Sequence, residues 1–160
     1  MNELEIQIQK YRNLVEQALK KVLQEKDLPQ QQVLEAMRYS VGAGGKRIRP
    51  VLLLAFCEGC GGDVEKAAPF AAAIEMLHSY SLIHDDLPCM DNDDMRRGKP
   101  SCHIQFGEAL ALLAGDGLLN RCFEVMLFSC LTVGQNGIKA AVTLSKAAGV
   151  MGMIGGQVLD

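Results

Sequence analysis

Five aspartates lie within ten residues of the sequence: Asp85, Asp86, Asp91, Asp93 and Asp94. Carboxylates this close repel one another unless cations neutralise them. Asp85 and Asp86 also end an apolar segment with helical spacing, where the helix dipole is negative and disfavours acids. A solvated charged loop is the ordinary explanation of an acidic run. Here the apolar helix that leads into the acids and the basic residues beside them favour a divalent-cation site.

Mg²⁺ suits this cluster, because it is usually held by one or two carboxylates together with substrate phosphates. Arg96, Arg97 and Lys99 follow at once and supply cations for the same phosphate. An EF-hand is excluded, because the fifth and sixth positions from Asp91 are Met95 and Arg96 rather than a ligand and a glycine. The pattern predicts metal-assisted phosphate chemistry without a protein nucleophile.

A second candidate phosphate site is the basic turn, residues 44–50, which holds three cations after a glycine pair. Glycine lets the backbone approach a bulky anion, and Pro50 can begin a helix whose N-terminus also favours anions. The turn lacks the GxxxxGK[ST] spacing of a P-loop, so ATP binding has little support. By itself this turn is a weak phosphate signal.

His78 precedes Asp85 by seven residues, so the two share one face of the predicted helix. A lone histidine is more often a core or surface residue than a ligand. On the face that carries the proposed metal, His78 becomes a candidate donor to a second phosphate.

Composition limits the other function classes. The 160 residues are 49% hydrophobic with a net charge of −3, which fits one domain over 1–160 and makes nucleic acid an unexpected partner. We find no signal peptide and no apolar run near the roughly 18 residues of a membrane span. We therefore expect a cytoplasmic protein without a membrane span. Its six cysteines are expected to be reduced, because one CxxC pair supplies only half of a zinc site.

Apolar spacing predicts an all-α fold of packed antiparallel helices. The first helix carries a stripe that steps by three and four residues: Leu4, Ile8, Tyr11, Val15, Ala18 and Val22. Further helices are predicted over residues 31–40, 50–59, 63–87, 107–131, 138–148 and from 151 onward. Residues 27–30 should separate the first two, Pro69 should kink or divide the fourth, and residues 89–101 should form a polar loop.

Together these segments resemble the trans-prenyl diphosphate synthases. The matching runs follow the family's order and cover almost all of the chain: 36–40, 44–50, 75–94, 96–100, 106–109, 114–116 and 155–157. The resemblance implies an antiparallel helical bundle of the isoprenoid synthase type, usually a homodimer. Such enzymes join isopentenyl diphosphate to an allylic diphosphate, geranyl or dimethylallyl, by ionisation, condensation and elimination with Mg²⁺.

The resemblance also implies roles for single residues. Asp85 and Asp91, with Asp86 assisting, would bind Mg²⁺ and through it the allylic diphosphate, and Arg96 would pair with the same group. Four positions match those that grip isopentenyl diphosphate: Lys46, Arg49, His78 and Arg97. Gln157 would line the reaction cavity.

Tyr80 lies five residues before Asp85. In the family a bulky aromatic residue at this position, with the longer acidic spacing seen here, tends to stop chain growth at fifteen carbons. Farnesyl diphosphate is therefore the expected product, and geranylgeranyl diphosphate is the alternative. A tyrosine that only packs in the core is the simpler explanation.

The resemblance fails at the family's second aspartate-rich motif, which nothing in the chain matches. We therefore expect an N-terminal part of a synthase, with the C-terminal part missing, that is inactive alone. A non-catalytic subunit that pairs with a full synthase and a helical interaction module with an acidic loop are the alternatives. The complete first motif and its two arginines favour the catalytic hypothesis.

Overall fold

The structure, a computed structural model, describes residues 2–24 and 29–160, so the break predicted at 27–30 lies partly outside the described residues. Within those ranges the chain forms eight helices and one antiparallel pair of strands. The helices are α1 (Glu3–Val22), α2 (Gln31–Val41), α3 (Ile48–Gly59), α4 (Val64–Asp85), α5 (Cys102–Phe106), α6 (Glu108–Val133), α7 (Gln135–Ala148) and α8 (Met153–Leu159). The predicted all-α class is confirmed.

The core lies along α4, which packs most extensively against α6 and is flanked by α1 and α3. Ala71, Ala72 and Ala73 are all fully buried. Successive helical residues point about 100° apart, so three buried in a row mean that neighbours surround the helix. Their small side chains let those neighbours approach closely.

Helix α4 begins as predicted at Asp63, whose side chain accepts hydrogen bonds from the backbone N–H groups of Glu65 and Lys66. It then runs unbroken through Pro69, so the predicted division does not occur. Proline leaves the carbonyl four residues earlier unbonded. Here that carbonyl belongs to Glu65, an exposed residue at which water can satisfy it.

The predicted polar loop contains a short hairpin of β1 (Met95–Arg96) and β2 (Lys99–Pro100), with Arg96 paired to Lys99. Its two turn residues, Arg97 and Gly98, have φ angles of 55° and 77°. Positive φ at both positions is typical of the type I′ turn that matches strand twist. Strands of two residues are too short to produce a detectable alternation, so the sequence analysis missed them.

One stretch of the described residues, Gln135–Leu159, is long and apolar enough by length and composition to cross a membrane, which the sequence analysis did not expect. Composition alone is weak evidence for a span. The stretch is interrupted by residues 149–152, which are not helical. A span in contact with lipid needs the unbroken hydrogen bonding of a continuous helix, and these residues interrupt it.

Candidate active site

A pocket of about 530 Å³ opens between the basic turn, α4 and the hairpin. Its lining includes all four residues predicted to grip isopentenyl diphosphate: Lys46, Arg49, His78 and Arg97. They come from three separate segments of the chain, and the fold brings them together. Three permanent cations around one opening favour a multiply charged anion.

Arg97 fixes the hairpin against the basic turn. Its Nη1 donates to the Gly44 carbonyl oxygen, and its Nη2 lies 3.5 Å from His78 Nε2. A Cβ at Gly45 would lie 2.5 Å from Arg97 Nη1. Gly45 also has a φ of 139°, which residues with a side chain rarely adopt, so glycine suits this backbone and leaves room for the guanidinium.

The pKa of His78 is lowered, chiefly because burial penalises the charged imidazolium. Arg49, Arg97 and Arg47 lower the pKa further, and Glu75 opposes them. His78 is therefore neutral near pH 7 and available as a hydrogen-bond donor from one ring nitrogen.

The lowered pKa of His78 predicts a pH-dependent stability. The unfolded chain binds this proton more tightly than the folded chain, so stability is retained above the ordinary pKa of about 6.5 and falls as pH drops below it. We expect His78→Gln to flatten this part of the profile, measured by urea unfolding at steps between pH 7 and pH 5. An identical slope in both proteins would contradict the prediction.

The acidic turn (residues 85–94) folds back on the end of α4. The Asp91 backbone N–H donates to the Asp85 carbonyl oxygen at 2.9 Å, and the Met90 N–H donates to Leu87 at 2.8 Å. Asp91 is exposed and Asp85 is half-buried. The turn therefore places two of the predicted metal-binding residues at the same end of the helix.

Asp86 is buried and bound to Arg96. Arg96 Nε donates to Oδ1 at 3.0 Å and to Oδ2 at 3.2 Å, and Nη2 donates to the same carboxylate. This hydrogen bond raises the pKa of Arg96. The two residues thus anchor the hairpin to α4, and their predicted contacts with metal and diphosphate stay predictions.

Gln157 lies on α8 and reaches the acidic turn. Its Nε2 donates to Asp85 Oδ1 at 2.8 Å. The residue predicted to line the cavity is therefore also a direct neighbour of a predicted metal ligand.

The number of carboxylates available in the acidic turn fits Mg²⁺. Among the described residues, no group of three or more histidine, cysteine, aspartate or glutamate side chains is arranged to hold a metal by itself. Mg²⁺ keeps several waters and is commonly held by one or two carboxylates plus substrate phosphates. Asp85 and Asp91 supply that number, so the site suits an ion that arrives with a diphosphate.

Tyr80 is buried between α4 and α6. Its ring meets His84 edge to face, with centroids 5.3 Å apart, and burial raises the pKa of Tyr80. His84 in turn fits against Gly115 of α6, where a Cβ would lie 2.1 Å from its Nε2. The tyrosine ring is thus buried beside His84, and its part in chain length stays a prediction.

Sequence reasoning missed the site role of Glu75 and counted Arg47 only as one cation of the basic turn. The two side chains form a buried ion pair at 2.7 Å. An acid inside an apolar helix was the available signal, because a buried charge requires a partner.

Comparison with known proteins identifies the family. Residues 30–160 match the family model described as Polyprenyl synthetase.

The chain belongs to the polyprenyl synthetase family.

Two curated relatives in this family are plant enzymes. The chloroplastic geranylgeranyl pyrophosphate synthase of Capsicum annuum is 56% identical over 127 residues, covering 79% of this chain and 34% of the relative. The chloroplastic heterodimeric geranylgeranyl pyrophosphate synthase large subunit 1 of Arabidopsis thaliana is 54% identical over 129 residues, covering 79% and 35%. The chain thus spans about a third of the length of the curated relatives it matches.

A solved structure of a geranyltransferase from Legionella pneumophila superposes with a TM-score of 0.92 at 42% identity. The match covers 99% of this chain and 57% of that one. The isoprenoid synthase type of fold and the predicted polyprenyl synthetase relationship are confirmed.

The prediction of a cytoplasmic location is wrong by this comparison. Both plant relatives are chloroplastic by name. The lack of a signal peptide is therefore not evidence for the cytoplasm.

Proposed function

We propose that this polyprenyl synthetase acts as a prenyltransferase that joins isopentenyl diphosphate to an allylic diphosphate with Mg²⁺. The observation that supports the proposal is that residues of two candidate phosphate sites lie on one helix, α4. His78 lies in the basic pocket, and Asp85 is two helical turns further along α4, about 10 Å by the rise per residue. Two diphosphates held this way could bring their hydrocarbon ends together.

The residues divide the chemistry between them. Lys46, Arg49 and Arg97 hold isopentenyl diphosphate by charge, and the carboxylates of Asp85 and Asp91 would hold Mg²⁺, which neutralises the leaving diphosphate. The allylic C–O bond breaks and pyrophosphate leaves with the bonding electrons. The double bond of isopentenyl diphosphate attacks the allylic cation to form a C–C bond, and a proton is then lost.

The test exploits the similarity to the Legionella pneumophila enzyme. This chain, alone and substituted for the matching part of that enzyme, is incubated with labelled isopentenyl diphosphate, geranyl diphosphate and Mg²⁺, and the products are chromatographed. We expect a prenyl product from the chimera that disappears on metal removal. The chain alone is expected to be inactive. A folded chimera without product would contradict the proposed function.

We infer farnesyl diphosphate as the product, because the bulky ring of Tyr80 lies buried five residues before Asp85. The curated relatives named as geranylgeranyl pyrophosphate synthases make a twenty-carbon product the second candidate.

Replacing Tyr80 tests this choice. In the chimera, Tyr80→Ala removes the ring and is expected to move the main product beyond fifteen carbons, because a wall of the cavity is lost. Tyr80→Phe keeps the ring and should keep the product length. Chromatography of the dephosphorylated products measures both, and the same product from both variants would show that Tyr80 only packs in the core.

We also propose that a second copy of the chain packs on α6 and α7. The two helices carry five exposed apolar side chains: Leu127, Phe128, Leu131, Ile138 and Val142. Exposed apolar side chains on neighbouring helices are a candidate interaction surface. The Arabidopsis thaliana relative is named a heterodimeric large subunit, so a different prenyl synthase subunit is the second candidate partner.

Two matched phenylalanines test the proposed homodimer. Phe128 on α6 is 77% exposed and Phe56 on α3 is 72% exposed. We expect Phe128→Asp to convert the dimer to a monomer in sedimentation experiments, since a charge would be buried at the contact. Phe56→Asp should leave the dimer intact. An unsubstituted chain that sediments as a monomer would contradict the homodimer.

A further inference from the structure

Arg47 differs from the other cations of the basic turn because its side chain points into the protein, where it is 3% exposed. Nε donates to Glu16 of α1, Nη1 to Glu75 of α4 and Nη2 to the carbonyl of Val41 at the end of α2. The three distances are 2.7, 2.7 and 2.8 Å. One guanidinium thus joins three helices to the start of α3.

The backbone of Arg47 has a φ of 51°, in the left-handed region. Residues other than glycine avoid this region at a penalty of roughly 1 kcal/mol or more. The three hydrogen bonds offset the penalty and keep the turn in this conformation. Lys46 and Arg49 are thereby left to face the basic pocket between the turn, α4 and the hairpin, which we call the anion pocket from here on.

Of the three groups that accept hydrogen bonds from Arg47, Glu75 is the one that also lines the anion pocket. Its side chain is 3% exposed, yet it lines the same pocket as Lys46, Arg49 and His78. It lies one helical turn before His78 on α4. A carboxylate in the wall of an anion site would repel the anion, and it would also compete for the cations that the anion needs.

We propose that Arg47 is a positioning residue that shields the anion pocket from Glu75 by holding its carboxylate in a buried ion pair. The inference rests on the proposed function, because it takes the pocket to bind a diphosphate. In this arrangement Arg47 does not touch the diphosphate. Among the described residues of the lining, Glu75 is the single acid. Arg47 withdraws it, so that Lys46, Arg49 and Arg97 face the ligand.

Without Arg47, the Glu75 carboxylate would remain buried beside three cations and a histidine. A buried charge that loses its partner takes another or becomes neutral, because desolvation is expensive. The nearest replacements are the cations of the pocket, so Arg47→Met should convert Glu75 into an internal competitor of the ligand. Removing the acid as well should restore binding. A role limited to holding the helices together predicts no such restoration.

The experiment measures binding of inorganic pyrophosphate to the 160-residue chain by titration calorimetry, with a chelator present to remove divalent cations from the acidic turn. We expect Arg47→Met to bind about tenfold more weakly, and Arg47→Met/Glu75→Gln to recover to within about threefold of the unsubstituted chain. Thermal unfolding should remain lowered in both, because Val41 and Glu16 lose their partner in either case. Binding that recovers almost fully while stability recovers only in part is the signature of shielding.

Glu75→Gln alone provides a second test if Arg47→Met does not fold. It removes a negative charge from the lining and is expected to bind pyrophosphate about two- to threefold more tightly. Weaker binding by Glu75→Gln, or a double variant as weak as Arg47→Met, would overturn the shielding role. If the unsubstituted chain shows no saturable pyrophosphate binding, the proposed function fails and this inference fails with it.

Discussion

Asp85→Ala is expected to weaken Mg²⁺-dependent binding of geranyl diphosphate to this chain by about 100-fold, or about 2.8 kcal/mol. The reason is the small number of proposed protein ligands, since we assign only Asp85 and Asp91, which the acidic turn places at the end of α4, to the metal. An ion held by one or two carboxylates and a phosphate loses much of its attachment when one carboxylate is removed. Titration calorimetry with and without Mg²⁺ measures the effect.

Two control variants separate the loss of a metal ligand from the loss of a hydrogen bond and from the loss of a negative charge. Gln157→Leu removes the hydrogen bond from α8 to Asp85 Oδ1 but keeps both carboxylates. Asp94→Asn removes one negative charge from the same turn. Both are expected to change Mg²⁺-dependent affinity less than fivefold, by about 1 kcal/mol or less. An Asp85→Ala chain that binds as tightly as these controls would exclude Asp85 as a metal ligand.

Arg96→Met is expected to lower the free energy of unfolding by about 2–3 kcal/mol. The Asp86 side chain is 4% exposed, and its carboxylate is paired with Arg96. Removing the arginine leaves a buried carboxylate without this partner, which is strongly destabilising. We place the value at or below the low end of the roughly 3–5 kcal/mol usual for a broken buried pair, because the Arg96 side chain is 30% exposed and water screens part of the interaction. Urea unfolding near pH 7 measures the change.

Arg121 offers a matched control for Arg96. Its side chain is also 30% exposed, but its carboxylate partner Glu124 is 52% exposed, at an Nη1–Oε2 distance of 3.0 Å. Its Nε also donates to the Val22 carbonyl oxygen at 3.0 Å. Arg121→Met removes these contacts but leaves no buried charge, so it should lower stability by about 1 kcal/mol, less than Arg96→Met. The double variant Asp86→Asn/Arg96→Met should recover part of the loss, because the buried charge is gone. Equal effects of the two arginine substitutions would contradict the argument from partner burial.

Periodicity predicted the helices well where packing agrees with it. In α1 the predicted stripe is correct at its centre, since Tyr11 and Val15 are buried. It is wrong toward the N-terminus, where Leu4 is exposed, and it missed the buried Leu19. A spacing rule assumes that one face is covered along the whole helix, whereas the neighbouring helices α3 and α4 cover only part of it.

The site could be predicted as far as relationships within one helix allow. The seven-residue interval correctly places His78 and Asp85 on one helix, and the glycine pair of the basic turn lies against the anion pocket. The pairing of Arg96 with Asp86 and of Arg47 with Glu75 could not be read in the same way. Each joins segments whose relative position depends on how the helices pack, and local spacing carries no information about that.

Arg47 and Arg97 both adopt left-handed backbone conformations, with φ angles of 51° and 55°. An engineer who optimised this chain for thermal stability alone would be drawn to glycine at such positions, where the backbone preference is satisfied without effort. At Arg47 such a change would lower stability, because glycine would leave the buried Glu75 carboxylate without its partner. At Arg97, which is exposed, glycine would suit the backbone but discard a guanidinium of the pocket lining. Ranking variants by melting temperature would therefore protect Arg47 but not Arg97, and selection on this scaffold must score anion binding alongside stability.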